Sequence, residues 1–209
     1  MVLDRYFTAK TRLKAALPAL RSMRSRAKGD AVQSTAHYLA AIEQFREVFR
    51  VAVAGGVGSG KSSFVDFVKS ETDGRIRLDA VDITGKSESS MLTKPPLDQT
   101  DAIVCVIDAT EPWAAEPWDF VRMVPRELYE KLLIVLLRSD LRSEVELQPV
   151  IVHIGEQLFQ CTGRRFVAVP FSAKLARLAN GGGLDSEGLR ARSGIDRLSE
   201  ALGSVLAAS

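Results

Sequence analysis

The sequence predicts an α/β protein in three layers, a mainly parallel sheet between helices, preceded by an N-terminal helical hairpin. Three observations carry this reading. After residue 49, short apolar runs alternate with helix-like segments, the pattern of βαβ units. A glycine-rich loop joins the first of those runs to the first helix. Residues 1–49 instead show helical spacing of apolar side chains. With 209 residues, 46% of them hydrophobic, the chain has material for one buried α/β domain, taken as 50–209, plus the accessory hairpin 1–49.

In the hairpin, Leu3, Tyr6, Phe7, Leu13, Leu17, Leu20 and Met23 recur at helical spacing, and Pro18 divides or kinks the first arm. Gly29 supplies a stop and Asp30 an N-cap, with Gln33 three residues on. Tyr38, Ile42, Phe45 and Phe49 then line one stripe of the second helix. The first arm is basic, with Arg5, Lys10, Arg12, Lys14, Arg21, Arg24, Arg26 and Lys28 against Asp4. Three roles suit such an arm: a solvated face, a surface for anionic lipid, or a docking element for a protein partner.

In the domain, strands are expected at Arg50–Ala54, Ile76–Asp82, Ala102–Asp108, Leu132–Leu137 and Phe166–Val169. Helices are expected after Lys61, around Trp118–Met123, through Leu147–Gln160 and at Ile195–Leu206. The stretch NGGGLDSEG between the last two reads as a flexible connection.

The net charge of +2 provides no field for nucleic acid, and none is expected as a partner. Cys105 and Cys161 form neither a CxxC pair nor a metal-ligand set, which fits a reducing compartment. The first residues contain no continuous apolar leader, and no run approaches the ~18 apolar residues of a membrane span. The expectation is a cytoplasmic protein, with peripheral membrane contact through the basic arm as a further reading. His37 and His153 have no ligand set near them in sequence, and Trp113 and Trp118 in EPWAAEPW suit packing or a contact surface.

Residues Gly55, Gly56, Val57, Gly58, Ser59, Gly60, Lys61 and Ser62 satisfy GxxxxGK[ST], between the strand RVAVA and the helical SSFVDFVKS. Glycines let backbone N–H groups curl around phosphate oxygens, and the helix adds its positive end. Lys61 reaches the β/γ-phosphates, the Ser62 hydroxyl ligates Mg²⁺, and Ser63 completes the loop. Downstream, Asp82-Ile83-Thr84-Gly85 has the form DxxG at a strand end. Asp82 is placed to hold Mg²⁺ through water and the Gly85 N–H to meet the γ-phosphate. Lys61, Asp82 and Gly85 are therefore the catalytic candidates, and Ser62 with Asp82 the metal candidates. An alternative reading takes AIVCVID as the metal-binding strand of a P-loop ATPase or small-molecule kinase, with Asp108 near Mg²⁺.

The chain resembles P-loop GTPases of the translation-factor-related class, most of all bacterial dynamin-like GTPase domains. The resemblance rests on GKSS, TDAIVCVIDATEP, LLRSDL, VPFSAKLA and SGIDRLSEAL, and covers about residues 50–206. It implies the three-layer P-loop NTPase (GTPase-like) fold, GTP/GDP and Mg²⁺ as ligands, and a switch that meets a protein partner or a second copy. Asp140 matches the Asp that reads guanine's N1–H and exocyclic amine in [NT]KxD, Arg138 stands for the Lys over the base, and Leu137 replaces the Asn/Thr. Ser172-Ala173-Lys174 matches the SAK motif, whose Ala N–H faces the guanine O6.

Two departures bear on hydrolysis. Little chain separates the GKSS helix from Asp82, so the first switch and the extra edge strand of the family are expected to be truncated. Ser70 and Thr72 are the only hydroxyls near the missing switch threonine, and no catalytic threonine is assigned. Val57 stands at the third loop position, where dynamins tend to carry a polar residue. A slow or partner-activated GTPase is expected, or a pseudo-GTPase that binds and hardly hydrolyses.

Overall fold

A computed structural model of the protein describes residues 49–72, 76–83, 97–182 and 185–208. The hairpin expected over 1–49 lies outside these apart from Phe49, as do Thr84 and Gly85.

Five strands form one sheet: β1 (Phe49–Gly56), β2 (Ile76–Ile83), β3 (Ala102–Asp108), β4 (Leu132–Leu137) and β5 (Ala168–Phe171). Their order is β2-β1-β3-β4-β5 and every pairing is parallel. Among the described residues six helices accompany them: α1 (Lys61–Glu71), α2 (Ala115–Met123), α3 (Glu144–Thr162), α4 (Ala173–Asn180), α5 (Ser186–Ser193) and α6 (Ile195–Ala208). Among the described residues there is no antiparallel edge strand. Residues 72–75 alone join α1 to β2, as the short spacing before Asp82 implied.

The central strands read as continuous apolar runs because both faces are covered. In β3, Ile103, Val104, Cys105, Val106 and Ile107 are all fully buried. On one face Ala52, Ala54, Ile103, Cys105 and Ile134 pack with Trp118, Phe120 and Val121 of α2 and Ile154 and Leu158 of α3. Burial pushes the Cys105 thiol up to about 12, because the thiolate would sit unsolvated among these side chains. On the other face Phe64 and Phe67 of α1 meet Phe171 of β5 at centroid distances of 5.9 and 5.2 Å. Leu198, Leu202 and Leu206 of α6 are buried beside them. The three-layer α/β expectation holds.

Three sequence expectations need correction. Phe49, expected on the apolar stripe of the hairpin's second helix, is instead the first residue of β1, paired with Ile76. β5 begins two residues later than Phe166 and continues through Pro170. β5 pairs only with β4, and an edge strand accommodates a proline that cannot donate to a second neighbour. The stretch NGGGLDSEG is only partly a connection, because α5 starts at Ser186 inside it. α5 packs against α4, which the sequence reading also left unplaced. Gly194 follows α5 with φ 74°, and a Cβ there would lie 2.0 Å from the Pro170 carbonyl oxygen. The chain therefore crosses β5 at a distance only glycine permits.

Candidate nucleotide-binding site

In an open parallel sheet, ligands bind beyond the carboxyl ends of the strands, where neighbouring connections leave in opposite directions. Here that point lies between β1 and β3, because β1 leads to β2 on one side while β3 leads to β4 on the other. The loop Gly55–Ser62 leaves β1 at this position. Gly58 and Gly60 take φ of 78° and 89°, which turns the backbone so that α1 starts at Lys61.

Lys61 is buried, with 6% of its surface exposed. Its ammonium donates to the Gly55 carbonyl at 2.8 Å and the Gly56 carbonyl at 2.6 Å, and lies 3.5 Å from Ser59 Oγ. A buried cation needs such partners, and here they fix it on the inner side of the loop. Ser62 and Ser63 are exposed at the start of α1, and Val57 is 76% exposed at the loop tip.

Beside the loop lies a cavity of about 540 Å³ lined by Gly60, Ser63, Leu137, Arg138, Asp140, Leu141, Ser172, Ala173, Lys174, Arg177 and Leu178. The fold thus brings the RSD and SAK segments to one wall and the end of the phosphate loop to another. Asp140 sits in a 3-10 turn, Ser139–Leu141, directly after β4. Ser172 caps α4, its hydroxyl accepting from Leu175 N at 3.2 Å, and its own N–H donates to the Ser193 carbonyl at 2.9 Å. Arg177 ties α4 to α1 through the Ser63 carbonyl at 3.1 Å. Leu141 and Leu178 are 60% and 51% exposed, and with Leu137 they give this pocket apolar sides suited to a flat ring. Neither Leu141, Arg177 nor Leu178 was singled out from the sequence, although all stand within a helical turn of residues that were.

Arg138 does more than border the cavity. Its backbone has φ 58°, alone among the described non-glycine residues in the left-handed region. Its guanidinium donates to Asp108 Oδ2 at 2.6 Å and to the Gly58 carbonyl. Its guanidinium Nε lies beside Gly60, so one side chain spans from the cavity to the glycine-rich loop. Asp108 Oδ1 accepts from the Thr110 N–H and hydroxyl, both at 2.8 Å, so both carboxylate oxygens are engaged within the protein. Arg142 completes the corner by donating from Nε to the Ala109 carbonyl. The Asp-x-Thr spacing was the available signal for this turn, and the sequence reading did not use it.

Asp82 pairs in register with Gly55, which puts it at the β2 end beside the start of the loop. The hydroxyls of Ser70 and Thr72 each donate at 2.7 Å to carbonyls within α1, Phe67 and Val68 respectively. Both are helix-end groups turned to their own backbone. Among the described residues no group of three or more His, Cys, Asp or Glu side chains is placed to hold a metal. A fixed buried ammonium, an exposed helix-start serine and an adjoining polar and apolar cavity together fit a nucleoside triphosphate.

No family model matches the chain, and none of the curated proteins matches it significantly. Solved structures do. An oligomerised bacterial dynamin pair, described as a mechanism for long-range sensing and tethering of membranes, aligns with TM-score 0.63 and 16% identity. The alignment covers 95% of this chain and 51% of that one. Translation elongation factor SelB from Methanococcus maripaludis, in complex with the GTP analogue GppNHp, aligns with TM-score 0.54 and 15% identity over 77% of this chain. Its apo form gives TM-score 0.55. The chain spans about half the length of the dynamin and about a third of SelB. At these identities the likeness is one of fold, an α/β core shared with SelB and the dynamin pair.

Proposed function

We propose that this protein binds GTP and GDP with Mg²⁺ and acts as a slow or partner-activated GTPase. The observation that carries the reading is the continuity of the site. One loop with a buried lysine is joined through Gly60 and Ser63 to a cavity walled by Asp140 and Ser172–Lys174. In this reading the loop N–H groups and Lys61 hold the phosphates, Ser62 and Asp82 hold the metal, and Asp140 with the Ala173 N–H reads the guanine edge. Arg138 flanks the base with its stem while its head braces the loop. Mg²⁺, when bound, neutralises charge on the phosphates. Gly85 remains the proposed contact of the second switch.

A second reading, a pseudo-GTPase interaction module, is favoured by the truncated link at 72–75 and the apolar Val57 at the loop tip. Phosphoryl transfer depends on positioning and charge neutralisation, so losing a switch segment slows turnover without removing binding. The ATPase reading is disfavoured, because Asp108 is engaged by Arg138 and Thr110.

Residues 1–49 are proposed as a basic hairpin ahead of domain 50–209, presented to a protein partner, a second copy or anionic lipid. The membrane and self-association readings draw on the fold likeness to the oligomerised dynamin pair. No described helix is long and apolar enough to cross a membrane.

The test is equilibrium binding of fluorescent GTP, GDP and ATP analogues with and without Mg²⁺. Guanine-selective binding is expected, abolished in Lys61→Ala. Asp140→Ala should lose selectivity by roughly 10²-fold, the cost of leaving a base donor pair unmatched. If no nucleotide binds, or ATP is preferred, the reading fails.

A further inference from the structure

α3 carries apolar side chains that the fold does not use. Val145, Val152 and Phe159 are 83%, 59% and 48% exposed, whereas Val150, Ile154 and Leu158 on the opposite side are buried in the core. The three exposed residues stand one heptad apart, so they form a single stripe along the helix, the spacing at which two helices pack side by side. Exposed Gln148 and Glu156 border the stripe, giving an apolar centre with a polar edge. Trp113, 56% exposed, extends the apolar surface past the stripe by meeting the His153 ring edge-on at 4.7 Å.

We propose that this face of α3 is a self-association surface, occupied by α3 of a second copy running antiparallel about a two-fold axis at Val152. The distribution of residues along the helix selects this occupant. Val152 lies midway between Val145 and Phe159, so the antiparallel pair sets Val152 against Val152 and Val145 against Phe159 of the other copy. The charges at the two ends are complementary in the same arrangement. Glu144 and Glu146 flank Val145, while the Arg165 guanidinium lies 5.6 Å from the Phe159 ring centroid. Each acidic end therefore meets a basic end, and the antiparallel helix dipoles align favourably. A parallel pair would set Glu144 and Glu146 against themselves.

The surface also fixes the strength. α3 has 19 residues. At about 1.5 Å per residue and a contact strip about 10 Å wide, it buries roughly 300 Å² per copy, short of the ~800 Å² of a standard interface. The pair is therefore weak and reversible. The surface is separate from the nucleotide-binding reading and does not depend on it.

The experiment uses the full chain. Sedimentation velocity up to about 1 mM is expected to show a monomer–dimer equilibrium, with Val152→Glu raising the dissociation constant at least tenfold by opposing two carboxylates. Orientation is read by disulfide cross-linking in a Cys161→Ser background, since Cys105 is buried. Val152→Cys should cross-link to itself. Val145→Cys should not, its two copies lying about 20 Å apart, but it should cross-link to Phe159→Cys when the two variants are mixed. A monomer at the highest concentration, an unchanged constant in Val152→Glu, or self-linking of Val145→Cys as strong as that of Val152→Cys overturns the proposal.

Discussion

Replacing Arg138 separates two contributions that the structure places on one residue. Its guanidinium is 43% exposed and holds Asp108, itself 12% exposed, at 2.6 Å, and it also reaches the Gly58 carbonyl. A charge-assisted hydrogen bond contributes about 1.5–3 kcal/mol when well desolvated, and exposure reduces that, leaving roughly 1–1.5 kcal/mol here. The backbone strain at φ 58° acts in the opposite direction, at roughly 1 kcal/mol for a residue with a Cβ. Arg138→Ala loses the bonds and keeps the strain, so it should be destabilised by roughly 1–1.5 kcal/mol, about 3–5 °C in a domain of this size. Arg138→Gly loses the same bonds but relieves the strain, and should be more stable than the alanine variant by about 0.5–1 kcal/mol. Urea and thermal unfolding of both variants measure this directly. Adding Asp108→Asn to Arg138→Ala should cost less than adding it to the wild type, a coupling of about 1 kcal/mol. The reasoning is refuted if Arg138→Ala unfolds with wild-type stability, or if the glycine variant is the less stable of the two.

Gly194→Ala adds a Cβ 2.0 Å from the Pro170 oxygen at φ 74°, and is expected to cost more than about 3 kcal/mol or to prevent soluble expression. Unfolding midpoints or soluble yield against Gly182→Ala, a second positive-φ glycine with open space around it, check this. The Glu146 carboxyl is held below its ordinary range first by its hydrogen bond from the Ser143 backbone N–H, then by the Ser143 hydroxyl. A depressed folded-state pKa gives stability that is present above the unfolded pKa and lost as pH falls through the folded one. Glu146→Gln should therefore melt lower than the wild type at pH 7, with the gap closing on acidification, in thermal melts taken across that range.

Much of this fold was legible because its strands are continuously apolar and punctuated. β3 and β4 have the bounds their sequences imply, since Ala102–Asp108 and Leu132–Leu137 run without a polar break and end at charged residues. β5 was misplaced because Phe166 has strand-like character but packs outside the sheet, its ring 5.8 Å from that of Tyr129. α5 was hidden by composition, since it opens beside a glycine run and its sequence, SEGLRARS, is largely polar. It is held by packing on α4, a tertiary effect that local propensity does not report. The site divides similarly. Gly55–Ser62, Asp140 and Ser172–Lys174 stood out in the sequence as motifs of particular residue types at strand ends, and the fold brings Gly60, Asp140 and Ser172–Lys174 to one cavity. The brace from Arg138 to Asp108 and Gly58 was not, because it joins three loops distant in sequence.

That brace also bears on how binding and hydrolysis separate in this protein. The phosphate loop and cavity hang from β1, β4 and β5, with β3 carrying the Asp108 anchor between them, and Arg138 and Arg177 cross-link their loops. Under the proposed function, a site cross-linked in this way is largely pre-organised for the nucleotide. Asp82 instead stands on β2, an edge strand paired only with β1 and reached from α1 through residues 72–75. Near it, the Ser70 and Thr72 hydroxyls are already committed to the end of α1. Under the proposed function, neither of these two hydroxyls serves the γ-phosphate, and a group supplied by a partner fits the partner-activated form of the reading.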